Sequence, residues 1–412
     1  MTEPIRILHF ADLHIGMENY GRLDPESGLN QRVKDFLARL DMVVEYAITH
    51  EADLVLFAGD AFRTRSPNPT HQREFAQRIR RLSQAAIPTV LLVGNHDVPV
   101  MEQRASSVEI FATLAVPYVT VAARPELLRV DTRRGPLQLA VIPYPVRQRL
   151  LSREQFRQMN QEALDRAVSE VVVRLIQQFA AQLDSHIPAV LAGHFSVENA
   201  HWGSERNIMV GRDVAIPLSA LTDAAWDYVA LGHIHQHQNL NPTNAPPVVY
   251  AGSLERVDFG EEKQPKGFCW VEVQRGATAW RYIETPARPF VTIRVDVRQE
   301  PHPLRTIERA LASQSLSEAV VRLSVQMSPE QEPYLRDADL MPLLMDAFFA
   351  QINREVDRAA RDRLSGLEPD ALTPMHLLER YLQSKGKTDE ELPPYLAEAQ
   401  TIFADEDVAT DD

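Results

Sequence analysis

Five short sequences follow one another along this chain: Asp12-Leu-His14, Gly59-Asp60, Gly94-Asn95-His96-Asp97, Gly193-His194 and Gly232-His233-Ile-His235. Together they offer carboxylates, an amide and imidazoles, without a thiol. That donor set suits manganese, iron or zinc rather than calcium or a structural zinc. Two such cations roughly 3.5–4 Å apart can clamp a phosphodiester, one generating a nucleophile at neutral pH and both neutralising charge on the phosphoryl oxygens. A ligand shared between them needs negative charge and two oxygens, so Asp60 is the natural bridge.

Each motif stands where a buried strand is expected to stop. The runs are Ile5–Phe10 before Asp12, Leu54–Phe57 before Asp60, Val90–Val93 before Asn95 and 190–192 before His194. Open α/β folds keep their chemistry at the carboxyl ends of such strands. A lone Asp-x-His is more often a turn or a helix cap, and a lone histidine is more often a core residue. Gly-Asn-His-Asp says more, because three polar side chains follow a sharp glycine turn out of an apolar strand. His233 and His235, two apart, are expected on one face of an extended strand. His9, inside the first strand, His50, His71, His237, His302 and His376 are read as ordinary histidines.

The ordered set resembles the calcineurin-like metallophosphoesterase superfamily, and within it the SbcD-type nuclease subunits of DNA double-strand-break repair complexes. Three later stretches carry the narrower resemblance: Gly203-Ser-Glu-Arg206 leading to Val210-Gly211, Asp227 to His233, and Tyr250-Ala-Gly-Ser253 followed by Asp258-Phe-Gly-Glu-Glu262 and Lys266-Gly267. The resemblance implies that Asp12, His14, Asp60 and His235 hold one metal, and Asp60, Asn95, His194 and His233 the other, most often manganese. It implies that His96 approaches the scissile phosphate, stabilising charge or protonating the leaving oxygen, with Asp97 expected to orient it. Archaeal and eukaryotic counterparts commonly carry a histidine three residues after the bridging aspartate. This chain has Arg63 there, which can hold a phosphate but cannot act as an acid.

Arg63 and Arg65 are thus candidate DNA contacts, and Arg73, Arg78, Arg80 and Arg81 form either a second basic patch or a solvated helix face. The net charge of −14 does not argue against a polyanionic substrate, because residues 389–412 hold nine acidic residues and no Lys or Arg. No apolar run approaches the roughly 18 residues of a membrane span, and the start lacks a basic leader, so a cytoplasmic protein is expected. The single Cys269 excludes an internal disulfide.

Strand and helix patterns alternate from residue 5 to about 115, residues 116–146 read as β-rich, and a helix is expected from the capping pattern Ser152-Arg-Glu-Gln155 to about Leu183. Cys269 and Tyr282 fall in a closing hairpin, and Thr285-Pro-Ala-Arg-Pro289 marks a boundary. Beyond it a strand (290–297), a helix (303–313), a strand (319–326) and a helix (339–358) are expected. The fold class is α/β: a layered core, a β-sandwich flanked by helices, over 1–285. A small capping domain (286–360) and a helical segment with an acidic tail (361–412) complete it.

The resemblance implies a manganese-dependent 3′-to-5′ double-strand exonuclease and single-strand or hairpin endonuclease. Its expected partners are DNA, an ABC-type coiled-coil ATPase and a second copy of the chain. Dimer faces are expected at Phe75, Ile79 and Leu82 and at Val108, Phe111 and Leu114. The ATPase is expected on stripes including Leu372, Met375, Leu378 and Leu382, then Tyr395, Leu396, Ala399, Ile402 and Phe403, behind a Thr373-Pro374 cap. A phosphatase or phosphodiesterase for small substrates, and a DNA-end-binding scaffold with vestigial chemistry, are the rival readings.

Overall fold

The computed structural model describes residues 3–99, 104–146, 159–203 and 213–357, and beyond these 375, 378–379, 382–383, 387–388 and 392–406. In chain order the strands are β1 (Ile5–Phe10), β2 (Leu54–Phe57), β3 (Thr89–Leu92), β4 (Val119–Ala122), β5 (Glu126–Thr132), β6 (Gly135–Ile142), β7 (Ala189–His194), β8 (Ser196–Val197), β9 (Ala215–Ile216), β10 (Tyr228–Gly232), β11 (Gln238–Asn239), β12 (Val248–Tyr250), β13 (Gly267–Gln274), β14 (Ala277–Glu284), β15 (Phe290–Asp296), β16 (Val320–Met327) and β17 (Phe349–Val356). Two six-stranded sheets carry the core, ordered β14-β13-β1-β2-β3-β4 and β11-β12-β10-β7-β6-β5.

The central strands run parallel, β1 with β2, β2 with β3, β6 with β7 and β7 with β10. Parallel strands are buried on both faces, which is why these segments read as nearly unbroken apolar runs. In β1 the alternation separates the faces. Ile5 and Ile7 pack into the sandwich with Val190, Ala192, Tyr228 and Val271. Leu8 and Phe10 pack outward against the helices α1 (Gln31–Thr49) and α2 (Pro69–Gln84). The helix Gln161–Ala180 covers the other sheet through Val168, Val172 and Ile176. The layers are therefore helix, sheet, sheet, helix, the sandwich flanked by helices expected from the sequence.

Local signals explain several boundaries. Asn30 and Asn68 cap α1 and α2, their side chains accepting from Arg32 N and His71 N, and Pro69 opens α2 where its missing N–H costs nothing. Cys269 faces Tyr282 in the β13–β14 register, as the expected hairpin requires. The helix expected from Ser152 is described only from Gln161, where Asn160 caps it; the Ser152–Gln155 pattern lies outside the described residues. Val108 to Leu114 yields only the short helix Ile110–Thr113.

Two expectations fail for tertiary reasons. Residues 349–356, expected to be helical, form β17 beside β16. Their helix formers are overridden by pairing with a strand edge, since strand preference is largely a matter of context. The expected dimer faces are core: Phe75, Ile79, Leu82, Val108 and Phe111 are buried, whereas Leu114 is 67% exposed. Two of the four arginines of α2 are committed to α1, Arg78 pairing with Asp41 and Arg81 with Asp41 and Glu45.

The chain divides into two compact units: 1–293 with 311–323 and 341–351, and 294–310 with 324–340 and 352–412. In the second, a helix spans Leu392–Glu406, with Leu392 and Ala399 buried and Tyr395 exposed. The Thr373-Pro374 cap lies outside the described residues. No helix among the described residues is long and apolar enough to cross a membrane.

Candidate metal centre

All the ligand candidates gather where the parallel strands of both sheets end, within the first unit. Asp12 follows β1, Asp60 follows β2, Asn95 follows β3, His194 ends β7 and His233 follows β10. The loops after β1 and β2 are stitched together by main chain: Asp12 N donates to Gly59 O, Leu13 N and His14 N to Asp60 O, and Ile15 N to Ala61 O. Holding the side chains inward strains the backbone. Asp12, His14, Asp60 and His233 all have positive φ, at 50°, 45°, 65° and 98°, a conformation that clusters at functional sites. Gly59 (φ 102°) sits so close to His194 that a Cβ would strike Nδ1, and a Cβ on Gly94 would strike the Asp60 carboxylate. Both motifs need glycine for close approach as well as for turning.

The hydrogen bonds reveal which imidazole nitrogens face the centre. His194 donates Nδ1–H to Ala58 O at 2.6 Å, so its Nε2 faces Asn95 Oδ1 at 3.0 Å and Asp60 Oδ2 at 3.4 Å. His233 is turned the other way: Nε2–H donates to Asp213 at 2.7 Å, leaving Nδ1 2.9 Å from Asn95 Oδ1. His235 donates Nδ1–H to Glu261 at 2.7 Å and sets Nε2 2.9 Å from His14 Nε2. The ligand atoms of Asp12, His14 and His235, and those of Asp12, Asp60 and His194, lie within 4.8 Å of one another. Imidazole lone pairs and carboxylate oxygens that converge in this way fit divalent cations.

Electrostatics point the same way. Burial, reinforced by His235 and His96, holds the His14 imidazole well below its usual range, which keeps it a neutral donor. Burial also lowers His194, but the adjacent Asp60 outweighs it and raises the group to about 9; a divalent cation held by these residues would compete with that proton. Burial works to raise Asp60, yet His194 and His96 hold it well below the usual carboxylate range. Burial raises the Asp12 carboxyl against the pull of His194 and His235.

His96 reaches the same centre. Its N–H donates to Asp60 Oδ1 at 2.8 Å and its ring packs edge-on to His14, 4.8 Å between centroids. Its ring is oriented by a main-chain carbonyl, Nδ1–H donating to Arg63 O at 2.7 Å, and not by Asp97. Asp97 instead faces inward and accepts from the N–H groups of Asp60, Ala61 and Gly94 and from Ser107. The acidic side chain after His96 points away from that ring, so it ties the second and third motifs together. His233 and His235 also depart from the strand expectation: β10 stops at Gly232, and from the loop beyond it His233 meets Asn95 while His235 meets His14.

A cleft of about 500 Å³ opens over the centre, with Asn19, Arg63, Thr64 and Arg65 on its rim and Tyr144 within it. Arg63 Nη1 lies 3.5 Å from Asn19, and Arg65 donates to Asn95 O at 3.3 Å. His9 is a buried core residue bonded to Tyr228, its imidazole lowered by burial to about 3.

Three residues here escaped the sequence reading. Asp213 orients His233 and also accepts from Ser196 and Tyr144; no spacing pattern announced it. Glu261 and Lys266 lie in stretches that carried the resemblance but no role. Burial would raise the Glu261 carboxyl, but Lys266 and His235 outweigh it and hold it at about 2.

Residues 5–237 match the family described as calcineurin-like phosphoesterase. The chain is 31% identical over 266 residues to the SbcD component of the SbcCD nuclease of Escherichia coli (strain K12), covering 62% of this chain and 62% of that relative. It is 29% identical over 285 residues to the corresponding SbcCD nuclease component of Bacillus subtilis (strain 168), covering 68% of this chain and 69% of that one. To the DNA double-strand break repair protein Mre11 of Aeropyrum pernix it is 25% identical over 313 residues, covering 74% of this chain and 67% of the relative.

Proposed function

Because the chain belongs to the calcineurin-like phosphoesterase family, whose members use divalent metals, we propose that it is a DNA nuclease that hydrolyses phosphodiesters with two metal ions, manganese foremost. The observation that carries this reading is the convergence of Asp12, His14, Asp60, Asn95, His194, His233 and His235 on one centre under an open cleft rimmed by Arg63 and Arg65. When bound, the metals supply Lewis acidity and a nucleophile at neutral pH.

The chain's own groups do the rest. Asp12, His14 and His235 would hold one ion, Asn95, His194 and His233 the other, with Asp60 shared between them. With Nδ1–H fixed on the Arg63 carbonyl, His96 as an imidazolium presents Nε2–H to stabilise the scissile phosphate or pass that proton to the departing sugar oxygen. Asp97 serves by fixing the loops that carry Asp60 and His96. Arg63 and Arg65 grip the phosphate backbone. We read 1–285 as the nuclease domain, 286–360 as a cap that shapes DNA access, and 361–412 as the segment that docks on a coiled-coil ATPase. The chain works in the cytoplasm as a homodimer, for which the exposed Ile110 and Leu114 offer apolar surface.

End-labelled duplex, hairpin and single-stranded DNA, incubated with Mn²⁺ and with chelator, test the reading. Metal-dependent shortening of duplex 3′ ends and nicking of hairpins are expected, stimulated by the ATPase. Hydrolysis of small phosphate esters with no action on any DNA would favour the small-substrate phosphatase.

A further inference from the structure

We propose that Glu261 and Lys266 form a charge-compensated positioning pair for His235: the carboxylate sets which nitrogen faces the metal centre, and the ammonium cancels the charge that the carboxylate brings. The proposal rests on the metal-site reading above and deepens it. Glu261 is fully buried, and its two oxygens are divided. Oε1 accepts from His235 Nδ1 at 2.7 Å, while Oε2 accepts from Val257 N at 2.8 Å and pairs with Lys266 Nζ at 2.9 Å. Lys266 is 1% exposed, an uncommon burial for a lysine. Its Nζ also donates to Ser253 Oγ at 2.8 Å, Gln264 Oε1 at 3.1 Å and His235 O at 3.2 Å. Four acceptors around three N–H groups suit an ammonium.

The same cation therefore touches both the carboxylate behind the His235 ring and the carbonyl of His235 itself. A simple tether between loops would not need a buried charge at this point. Among the described residues, Asp213 behind His233 makes the contrast, accepting from the hydroxyls of Ser196 and Tyr144 and from the main chain of Val214. A carboxylate behind an imidazole raises its strength as a ligand, and Lys266 attenuates that gain on the His235 side. Removing the carboxylate alone leaves an unbalanced ammonium close behind a site for divalent cations.

Manganese titration of the full chain by calorimetry, with Glu261→Gln, Lys266→Met and the double variant, separates this role from a structural one. Glu261→Gln is expected to weaken one of the two ions about 10–100-fold and leave the other unchanged. Lys266→Met is expected to bind at least as tightly as the wild type. The double variant is expected to recover most of the affinity lost in Glu261→Gln, because the uncompensated ammonium is gone. Binding by Glu261→Gln equal to wild type, or a double variant no tighter than Glu261→Gln, overturns the pair's role while leaving the metal centre intact. A wild-type chain that takes up no Mn²⁺ overturns the metal-site reading itself. Should Glu261→Gln fail to fold, Lys266→Met decides alone, and a tenfold loss of affinity there refutes the compensation.

Discussion

On the first sheet's side of the centre, Asp12, His14 and Asp60 stand on loops that bond to one another through main chain, with the Asp97 carboxylate receiving three further N–H groups. On the second sheet's side, His233 and His235 are imidazoles aimed by single side chains, Asp213 and Glu261. A main-chain network is shared among many bonds and resists single substitutions unless its hub is removed. A side-chain partner acts on one ring only. Damage on the first side should therefore spread over both ions, and damage on the second should stay with one.

Asp60→Ala gives the largest expected effect, because it removes the ligand common to both ions. Metal content by mass spectrometry should fall at both sites and nuclease activity should vanish. Retention of two ions would break the assignment of the bridge. His96→Ala should cut turnover by about 10²–10⁴-fold while metal content and DNA binding persist. Loss of an ion instead would make His96 a ligand, as its approach to His14 and Asp60 allows.

Asp97→Ala strips acceptors from buried N–H groups of two motifs at once, at an expected cost of about 2–4 kcal/mol. Urea unfolding in chelator checks this, and unchanged stability would mean that the hub is not one. Asp213→Ala should weaken one ion about 10–100-fold with the other untouched; equal weakening of both in a titration would erase the contrast between the sides. Arg63→Ala comes last. An exposed phosphate contact should alter KM a few-fold with kcat unchanged, and reduce the salt dependence of DNA binding.

The strand-end positions of the five polar motifs, the apolar runs that became parallel strands and the β13–β14 hairpin were legible in the sequence because each depends on local pattern, whereas the ligand roles came from the family resemblance. A buried parallel strand must be an apolar run, and a polar side chain that leaves it after a glycine must turn at the strand end. The orientation of the rings was not legible. Whether His233 presents Nδ1 or Nε2 depends on Asp213, twenty residues away, and His96 takes its orientation from the carbonyl of Arg63 rather than from the adjacent Asp97. Residues 349–356 have helix-forming side chains yet became a strand because β16 offered an edge, and Phe75 and Phe111 became core because the first sheet needed covering. Residue types and their spacing determine what chemistry this chain can do; partners distant in sequence decide which atom does it, since hydrogen bonds and burial are settled only once the layers pack.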